Sequence, residues 1–264
     1  MRKQALFGVL TAIAFSGAAY ADDSAITDDS WAMRGLLGFA KTSGTTDTTT
    51  ANGSFHVAHT WEDWKFLAGV GGLYGSTKGE TTSQDFGGYF QANYNISDRL
   101  YWFGGVTYDD NKFSGFAYQE MLDTGVGYQF IKEDDTKLTG QVGIGVQRLQ
   151  PEIFLTDPAG GIVSGSVIQG ESTSGMVVTA AVNFEHSFNP ATKLLAGVAV
   201  QSGSANTMTT GNVALQVKMS DRLALAAGYQ LIRNSKPPDG INGSSGLTTL
   251  NVVYELKNKK LAPQ

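Results

Sequence analysis

Residues 85–96, DFGGYFQANYNI, alternate between two kinds of side chain. The even-numbered positions are apolar or small: Phe86, Gly88, Phe90, Ala92, Tyr94 and Ile96. The odd-numbered positions are mostly polar: Asp85, Gly87, Tyr89, Gln91, Asn93 and Asn95. Successive side chains of a β-strand point to opposite faces, so this period of two predicts a strand with one apolar and one polar face.

The same alternation recurs in residues 137–148, 192–203 and, near the C-terminus, 249–256. Such strands of about ten to fourteen residues exceed the ~5–6 residues typical of globular proteins and suit a tilted strand that crosses a bilayer. We therefore predict an all-β fold, a single antiparallel up-and-down transmembrane β-barrel. The alternative is a soluble periplasmic β-protein in which the polar face of the sheet meets water.

The polar face is predicted to line the barrel lumen, because a Lys or Arg facing lipid at the midplane costs about 2–4 kcal/mol. The ionisable candidates on this face are Arg34, His56, Lys65, Asp85, Lys137, Glu185, Lys218 and Glu255. Their mixed sign indicates either weak ion selectivity or a lumen closed by ion pairs. Glu120 conflicts with the scheme because it shares parity with Leu122 and Val126. Either a β-bulge shifts the register there, or Glu120 lies above the membrane; we favour the second reading.

Aromatic residues cluster near the predicted strand ends, as the aromatic girdles of a membrane barrel require. The girdle candidates are Trp31, Trp61, Trp64, Tyr94, Trp102, Tyr108, Tyr128, Phe184 and Tyr229.

Polar turn signals divide the chain into about twelve strands, and ten is the alternative count because 46–59 and 208–219 are weakly patterned. Short connections alternate with longer ones, as expected for periplasmic turns and outer loops. The longest connection, 149–172, is predicted to be an outer loop. Its apolar residues suit either a constriction folded into the lumen or a cap outside it.

The N-terminus carries an export signal. Arg2 and Lys3 precede an apolar run, and Ala19-Tyr20-Ala21 fits a cleavage site. The predicted organisation is a signal peptide at 1–21, a polar lead-in at 22–30, a barrel at 31–257 and a basic tail at 258–264. The expected location is the outer membrane, reached through the cleaved signal peptide.

Composition excludes several classes of site. The chain contains no cysteine, which excludes disulfides, zinc-thiolate centres and thiol nucleophiles. Its formal net charge is −5, and loss of Arg2 and Lys3 makes the mature chain more acidic. Nucleic-acid binding is not expected, since it needs a basic footprint.

Residues 41–48 (KTSGTTDT), 96–131 (ISDRLYWFGGVTYDDNKFSGFAYQEMLDTGVGYQFI) and 247–256 (LTTLNVVYEL) carry a family likeness. They resemble a family of outer-membrane proteins described as salt-induced, whose function is otherwise unknown. The resemblance implies a barrel in the outer membrane and supplies no catalytic residues. One departure concerns assembly: barrel chains usually end at an aromatic residue, whereas here Tyr254 precedes Leu256 and eight further residues.

Catalytic chemistry has few candidates in the sequence. His56 and His59 fall on opposite faces of one strand, and His186 falls outward near a turn. A lipid hydrolase would need a Ser beside a His at the outer rim, and only Ser54 lies near a histidine. We therefore expect no enzyme, cofactor or metal, and keep an outer-membrane lipid hydrolase as the alternative.

The leading hypothesis is a small passive pore, or a structural barrel, that contributes to envelope behaviour under osmotic stress. Its expected partners are outer-membrane lipids and, during biogenesis, the barrel assembly machinery. A monomer is expected.

Overall fold

The computed structural model describes residues 30–42, 48–78, 80–111, 116–156, 162–237 and 243–258. The predicted signal peptide at 1–21, nearly all of the lead-in and most of the basic tail therefore lie outside the described residues. Within the described ranges, no helix has the length and apolar character needed to span a membrane.

The described chain forms thirteen β-strands, named in chain order. They are β1 (Ser30–Thr42), β2 (Thr48–Trp61), β3 (Trp64–Thr77), β4 (Glu80–Asn95), β5 (Leu100–Asn111), β6 (Phe116–Lys132), β7 (Thr136–Thr156), β8 (Ile162–Gln169), β9 (Thr173–Asn189), β10 (Thr192–Gly203), β11 (Thr207–Lys218), β12 (Leu223–Asn234) and β13 (Ser244–Asn258). The first and last strands each extend one residue beyond the barrel predicted at 31–257.

Twelve of these strands form a closed antiparallel barrel. Each strand pairs with its neighbours in the chain, β7 pairs with β9, and β1 closes the ring against β13. This confirms the predicted single up-and-down barrel of about twelve strands. The two weakly patterned segments are both barrel strands, β2 and β11, so the alternative count of ten is wrong.

The two ends of the barrel differ in their connections. Both termini and five connections of two to four residues lie at one end, which by the usual rule for such barrels is periplasmic. At the other end, the predicted outer loop at 149–172 is largely strand. Residues up to Thr156 continue β7, and β8 pairs back onto this extension in a separate ladder. The β-branched and aromatic residues of Ile153–Leu155 favour strand over loop.

When the strand registers are summed once around the ring, the first strand is displaced against itself by about 16 residues, which is the shear number of the barrel. With strands ~4.8 Å apart, this stagger corresponds to a tilt of about 40° and a backbone diameter of about 25 Å. A barrel of this size has room inside for side chains and for water.

The outer surface is apolar around the whole barrel. Exposed side chains such as Phe90, Val126, Ile144, Val198 and Leu250 alternate along their strands with buried or polar inward residues. A sheet that faces water on its outer side would not expose such a belt, so the structure disagrees with the soluble alternative. The protein is a transmembrane β-barrel.

Glu120 faces outward, and no register shift occurs beside it. It pairs with Tyr108 on one side and Arg148 on the other, near the outer ends of β5, β6 and β7. The Arg148 guanidinium lies 5.7 Å from the centroid of the Tyr118 ring. Glu120 and Arg148 therefore lie at the outer rim. This agrees with the interpretation that Glu120 lies above the membrane.

The nine girdle candidates lie on the lipid face at different depths. Seven lie near the periplasmic ends of their strands: Trp31, Trp61, Trp64, Tyr94, Trp102, Tyr128 and Phe184. Trp64 contacts Tyr94 and Trp102 at centroid distances of 5.1 and 6.4 Å, which makes this part of the girdle continuous. Tyr108 lies at the outer end of β5. Tyr229 lies mid-strand, so its depth does not match a girdle position.

We predict that Val198→Arg lowers the free energy of unfolding by about 2–4 kcal/mol, because Val198 faces lipid in the middle of β10. Gln201→Arg on the inner face of the same strand is the matched control and should change it by less than about 1 kcal/mol. Urea titration in phospholipid vesicles, followed by tryptophan fluorescence, measures both. Equal losses for the two variants would contradict the assigned faces.

Candidate functional site

The lumen is where the polar residues of the barrel converge. Registers place all eight ionisable candidates on the inner face. Six lie within about four residues of the periplasmic strand ends: Arg34, Lys65, Lys137, Glu185, Lys218 and Glu255. His56 lies near mid-barrel on β2, and Asp85 lies in the outer half on β4.

Arg34 is the centre of a cluster that crosses four strands. Its Nη2 donates a hydrogen bond of 2.7 Å to Gln216 Oε1 on β11, and its Nη1 lies 3.4 Å from Glu255 Oε1 on β13. Gln216 Nε2 donates to the same carboxylate oxygen at 3.0 Å. The Arg34 side chain is only 5% exposed, so its charge depends on these partners.

Lys193 extends this cluster around the wall. Its Nζ lies 3.8 Å from Glu185 Oε1 on the adjacent strand and 3.9 Å from Glu255 Oε1, three strands away. The wall is thus bridged laterally from β9 to β1 by these side chains. We call Arg34, Gln216, Glu255, Lys193 and Glu185 the periplasmic cluster.

Cavities lie on both sides of the periplasmic cluster. A cavity of about 660 Å³ opens at the periplasmic end and is lined by Lys193, Gln216 and Glu255, among others. A smaller cavity of about 170 Å³ lies further in, and Arg34 and His56 are among its lining residues. The bonded Arg34, Gln216 and Glu255 side chains therefore stand between the two spaces.

Glycines on the inner face let side chains of flanking strands meet over them. Gly38 on β1 pairs with Asn52 and Asn251, and Asn52 Nδ2 donates to Asn251 Oδ1 at 2.8 Å. A Cβ at Gly38 would lie 2.3 Å from both amide oxygens, so the bond needs glycine beneath it. Tyr101 and Gln141 are joined in the same way, across the strand between them, by a bond of 3.0 Å.

Ser54, His56 and Tyr89 form a hydrogen-bonded row across the inner wall. His56 Nε2 lies 3.1 Å from Ser54 Oγ, and His56 Nδ1 lies 3.2 Å from the Tyr89 hydroxyl. Ser54 and His56 both line the mid-lumen cavity. A hydroxyl beside an imidazole that is held by a third group has the arrangement of a nucleophile and its base.

The other two histidines face outward. His59 stacks on Trp31 at a centroid distance of 4.1 Å, and His186 lies between Phe184 and Phe188. Both therefore belong to the periplasmic aromatic girdle. Within the described ranges, no three His, Asp or Glu side chains are close enough to hold a metal ion.

Charge on the inner wall is separated by depth. Asp85, Asp109 and Asp123 are buried inward residues about nine or ten positions from the periplasmic strand ends. Thr179 Oγ1 donates to Asp123 Oδ2 at 3.2 Å. Among the described inward residues, Lys and Arg occur only in the periplasmic half. The outer half of the lumen is therefore acidic, and the periplasmic half holds the bases together with Glu185 and Glu255.

Several lumen residues are missing from the candidates drawn from the sequence: Lys193, Gln216, Asp109 and Asp123. The period of two could have found them, because Lys193 is next to the outward-facing Leu194 and Asp123 is next to the outward-facing Leu122, which assigns both polar residues to the inner face. The contacts between these side chains depend on the stagger between neighbouring strands, and the sequence of one strand does not reveal that stagger.

Comparison with known proteins identifies the family. The model of the family described as "Protein of unknown function, DUF481" matches residues 36–256, which is nearly the whole barrel. The chain belongs to the DUF481 family. A curated relative, the uncharacterized protein YdiY of Escherichia coli (strain K12), is 22% identical over 222 residues, which cover 83% of this chain and 78% of the relative.

Two solved structures are similar to this DUF481 chain. The translocator domain of the autotransporter NalP from Neisseria meningitidis has a TM-score of 0.47 and 11% identity, covering 88% of this chain and 89% of that one. An outer membrane channel from Pseudomonas putida F1 has a TM-score of 0.45 and 12% identity, with coverages of 89% and 97%.

We predict that Glu255→Gln destabilises this DUF481 barrel by about 2 kcal/mol, because it leaves the buried Arg34 and the nearby Lys193 without their shared carboxylate. Lys218→Gln is the control. It breaks an ion pair with Asp221 whose side chains are 48% and 102% exposed, and should cost less than about 1 kcal/mol. Urea unfolding in vesicles measures both, and equal stability of the two variants would contradict the role of the cluster.

Proposed function

We propose that this protein is a narrow passive pore of the outer membrane for small hydrophilic solutes and ions, and that it contributes to envelope behaviour under osmotic stress. The observation that carries the proposal is the row of cavities inside the barrel. The 660 Å³ periplasmic cavity and the 170 Å³ mid-lumen cavity meet at the Arg34 side chain and its partners. The residues around this junction are polar, which suits water and ions.

The constriction sets the size of the solute. Arg34 reaches from β1 to Gln216 on β11, and Lys193 reaches from β10 to Glu255 on β13. These side chains cover one sector of the ring near the periplasmic end. Large side chains, among them Tyr101 and Phe103, fill part of the opposite wall. A passage beside such a cluster admits small ions and excludes bulky solutes.

We predict that the refolded protein gives discrete conductance steps in planar bilayers, and that Arg34→Ala raises the single-channel conductance about twofold, because it removes the side chain at the narrowest point. Gln216→Ala removes the same bridge without removing a charge and should act in the same direction. Arg99→Ala is the control, since Arg99 lies in an exposed periplasmic turn and bonds to the Phe130 carbonyl.

Two outcomes would overturn the pore. The first is the absence of conductance steps at any voltage from protein whose heat-dependent gel mobility shows a folded barrel. The second is an equal conductance for the Arg34, Gln216 and Arg99 variants, which would show that the periplasmic cluster is not the constriction.

The separation of charge along the axis predicts an asymmetric current. Cations concentrate in the acidic outer half of the lumen, and anions concentrate near the bases of the periplasmic half. A voltage of one polarity drives both kinds of ion toward the boundary between the two halves and raises the current. The opposite polarity drives both away from this boundary and lowers the current. We expect about a twofold difference in current between polarities at 0.1 M salt, falling toward none at 1 M, where the Debye length is about 3 Å. The triple variant Asp85→Asn, Asp109→Asn and Asp123→Asn should abolish the asymmetry, and its persistence would contradict this account.

A lipid or ester hydrolase is the second candidate. His56 lies 3.1 Å from Ser54 Oγ through its Nε2 and 3.2 Å from the Tyr89 hydroxyl through its Nδ1, and Ser54 and His56 line the mid-lumen cavity. Ser54 would attack an acyl carbonyl while His56 takes its proton and passes it to the leaving alcohol, and water would then release the acid. Turnover of a short-chain p-nitrophenyl ester by the reconstituted protein tests this. Ser54→Ala and His56→Asn should each reduce the rate to that of buffer; rates equal to the parent would exclude it.

A further inference from the structure

Buried polar atoms without hydrogen bonds occur together on one part of the inner wall, in the outer half of the lumen. Within the described residues, both carboxylate oxygens of Asp109 are buried and accept no hydrogen bond, and Thr107 Oγ1 forms none. Gln119 Nε2 is buried and donates none. Thr107 and Asp109 are successive inward residues of β5, and Asp109 pairs directly with Gln119 on β6. Three neighbouring side chains therefore have polar atoms that still need a partner.

Asp85 lies beside Asp109 on the next strand. Asp109 pairs with Gly87, two residues from Asp85, so the two acids are diagonal neighbours whose Cα atoms lie about 7–8 Å apart. Their charges are close enough to repel each other. Because Asp85 and Asp109 are only 4% and 9% exposed, water screens this repulsion weakly. A positive charge held between the two carboxylates would remove it.

Glycine leaves the wall open beside this pair of acids. Gly87, opposite Asp109, pairs in turn with Gly71 on β3, so two adjacent inward positions carry no side chain. Gly71 belongs to the lining of the 170 Å³ mid-lumen cavity, and Asp85 lines a further cavity of about 810 Å³ toward the outer end. Space for an ion and its water therefore lies next to the two carboxylates.

A bound cation satisfies these groups better than a proton does. A proton on Asp109 would relieve its repulsion with Asp85 but would not give both Thr107 and Gln119 a partner. A cation held by both carboxylates can also bind the amide oxygen of Gln119, which a rotation about the last side-chain bond directs toward it. Water bound to the same ion can contact the Thr107 hydroxyl.

The chemistry of the donors selects the ion. They are all oxygens, from two carboxylates, one amide and water, and such donors favour hard cations. The two carboxylates match the charge of a divalent ion. Ca²⁺ accepts about six to eight oxygens in a flexible geometry, whereas Mg²⁺ demands a nearly ideal octahedron. Side chains fixed on three different strands suit the ion with the less strict geometry. No third His, Asp or Glu of the described residues is needed, since neutral oxygens complete the shell.

We propose that Asp85 on β4, Asp109 on β5 and Gln119 on β6 form a Ca²⁺-binding site on the inner wall of the outer half of the barrel, with water as the remaining ligands. The expectation of no metal was drawn from strands taken one at a time, and these do not show that Asp85 and Asp109 lie side by side. The site does not depend on the proposed pore, because Ca²⁺ would bind there in a closed lumen as well.

Direct binding of Ca²⁺ tests the site. The probe is radioactive Ca²⁺ in equilibrium dialysis against the refolded protein in phosphatidylcholine nanodiscs, with about 0.1 M KCl to screen diffuse attraction. We expect one ion per barrel with a Kd of about 10⁻⁴–10⁻³ M, the range of extracellular Ca²⁺ modules. Asp109→Asn keeps the shape of the side chain and removes its charge, and should weaken binding at least about tenfold. The absence of binding to the parent at about 10 mM Ca²⁺ would overturn the site.

Asp123→Asn is the matched control. Asp123 is also a buried inward acid, but Thr179 Oγ1 donates to one of its oxygens, and it pairs with Gly105, four residues from Asp109. Its variant should change the affinity for Ca²⁺ by less than about twofold, because at this separation its charge is screened. Equal affinities of the parent and Asp109→Asn would overturn the site. Equal losses from Asp109→Asn and Asp123→Asn would also overturn it, since they would indicate diffuse attraction by the acidic lumen.

Gln119→Leu tests the neutral ligand without changing the charge. It removes the amide oxygen and keeps a similar volume, so we expect binding to weaken about threefold. Diffuse attraction to the acids would not respond to this change. An affinity equal to that of the parent would therefore remove Gln119 from the site.

Urea unfolding separates loss of the ion from loss of the fold. In EDTA, Asp109→Asn should unfold at a higher urea concentration than the parent, because the repulsion with Asp85 is gone. Addition of about 10 mM Ca²⁺ should raise the midpoint of the parent and leave that of the variant unchanged, since a ligand stabilises the folded state that binds it. Equal shifts in both would overturn the site.

Conductance of the same samples is a separate readout. A barrel that conducts but does not bind Ca²⁺ would contradict the Ca²⁺ site alone. A barrel that binds Ca²⁺ but gives no conductance steps would contradict the pore alone and support the site.

Discussion

Backbone hydrogen bonding in a medium without water is the constraint on which this barrel depends. Each strand edge in the hydrocarbon needs a neighbour, so twelve strands close into a ring and β1 meets β13. Closure fixes the tilt and the stagger, and these in turn decide which inward side chains meet. The periplasmic cluster and the mid-lumen cavity are therefore consequences of how the ring closes.

Small residues organise both faces of the wall. Inside, Gly38 allows Asn52 and Asn251 to bond across an intervening strand. Gly197 lies between Asn183 and Asn212, whose amide oxygens lie 2.9 and 2.8 Å from the position of an added Cβ. Outside, Gly53 and Gly72 pair with each other on the lipid face of β2 and β3. Glycine thus supplies space where a neighbouring side chain needs it, and the β-ladders supply the stability that glycine does not.

Much of this architecture could be predicted from the sequence, because a period of two assigns each residue to a face. The polar turns divided the chain into its strands, and the parity of Arg34 and Glu255 placed them inward. Contacts between strands could not be predicted, since Arg34 meets Gln216 only through a stagger summed over several ladders. The prediction of an outer loop at 149–172 missed its strands, because length was taken to indicate a loop, while the residues there favour an extension of β7 paired with β8.

The Arg34–Gln216 hydrogen bond also has a kinetic meaning. It joins residues 182 positions apart, and neither it nor the Arg34–Glu255 ion pair can form before the first and last strands have met. Loop-closure entropy opposes such contacts until most of the ring is already assembled. The contacts of Arg34 therefore form last, and their energy slows unfolding of the closed barrel more than it speeds assembly.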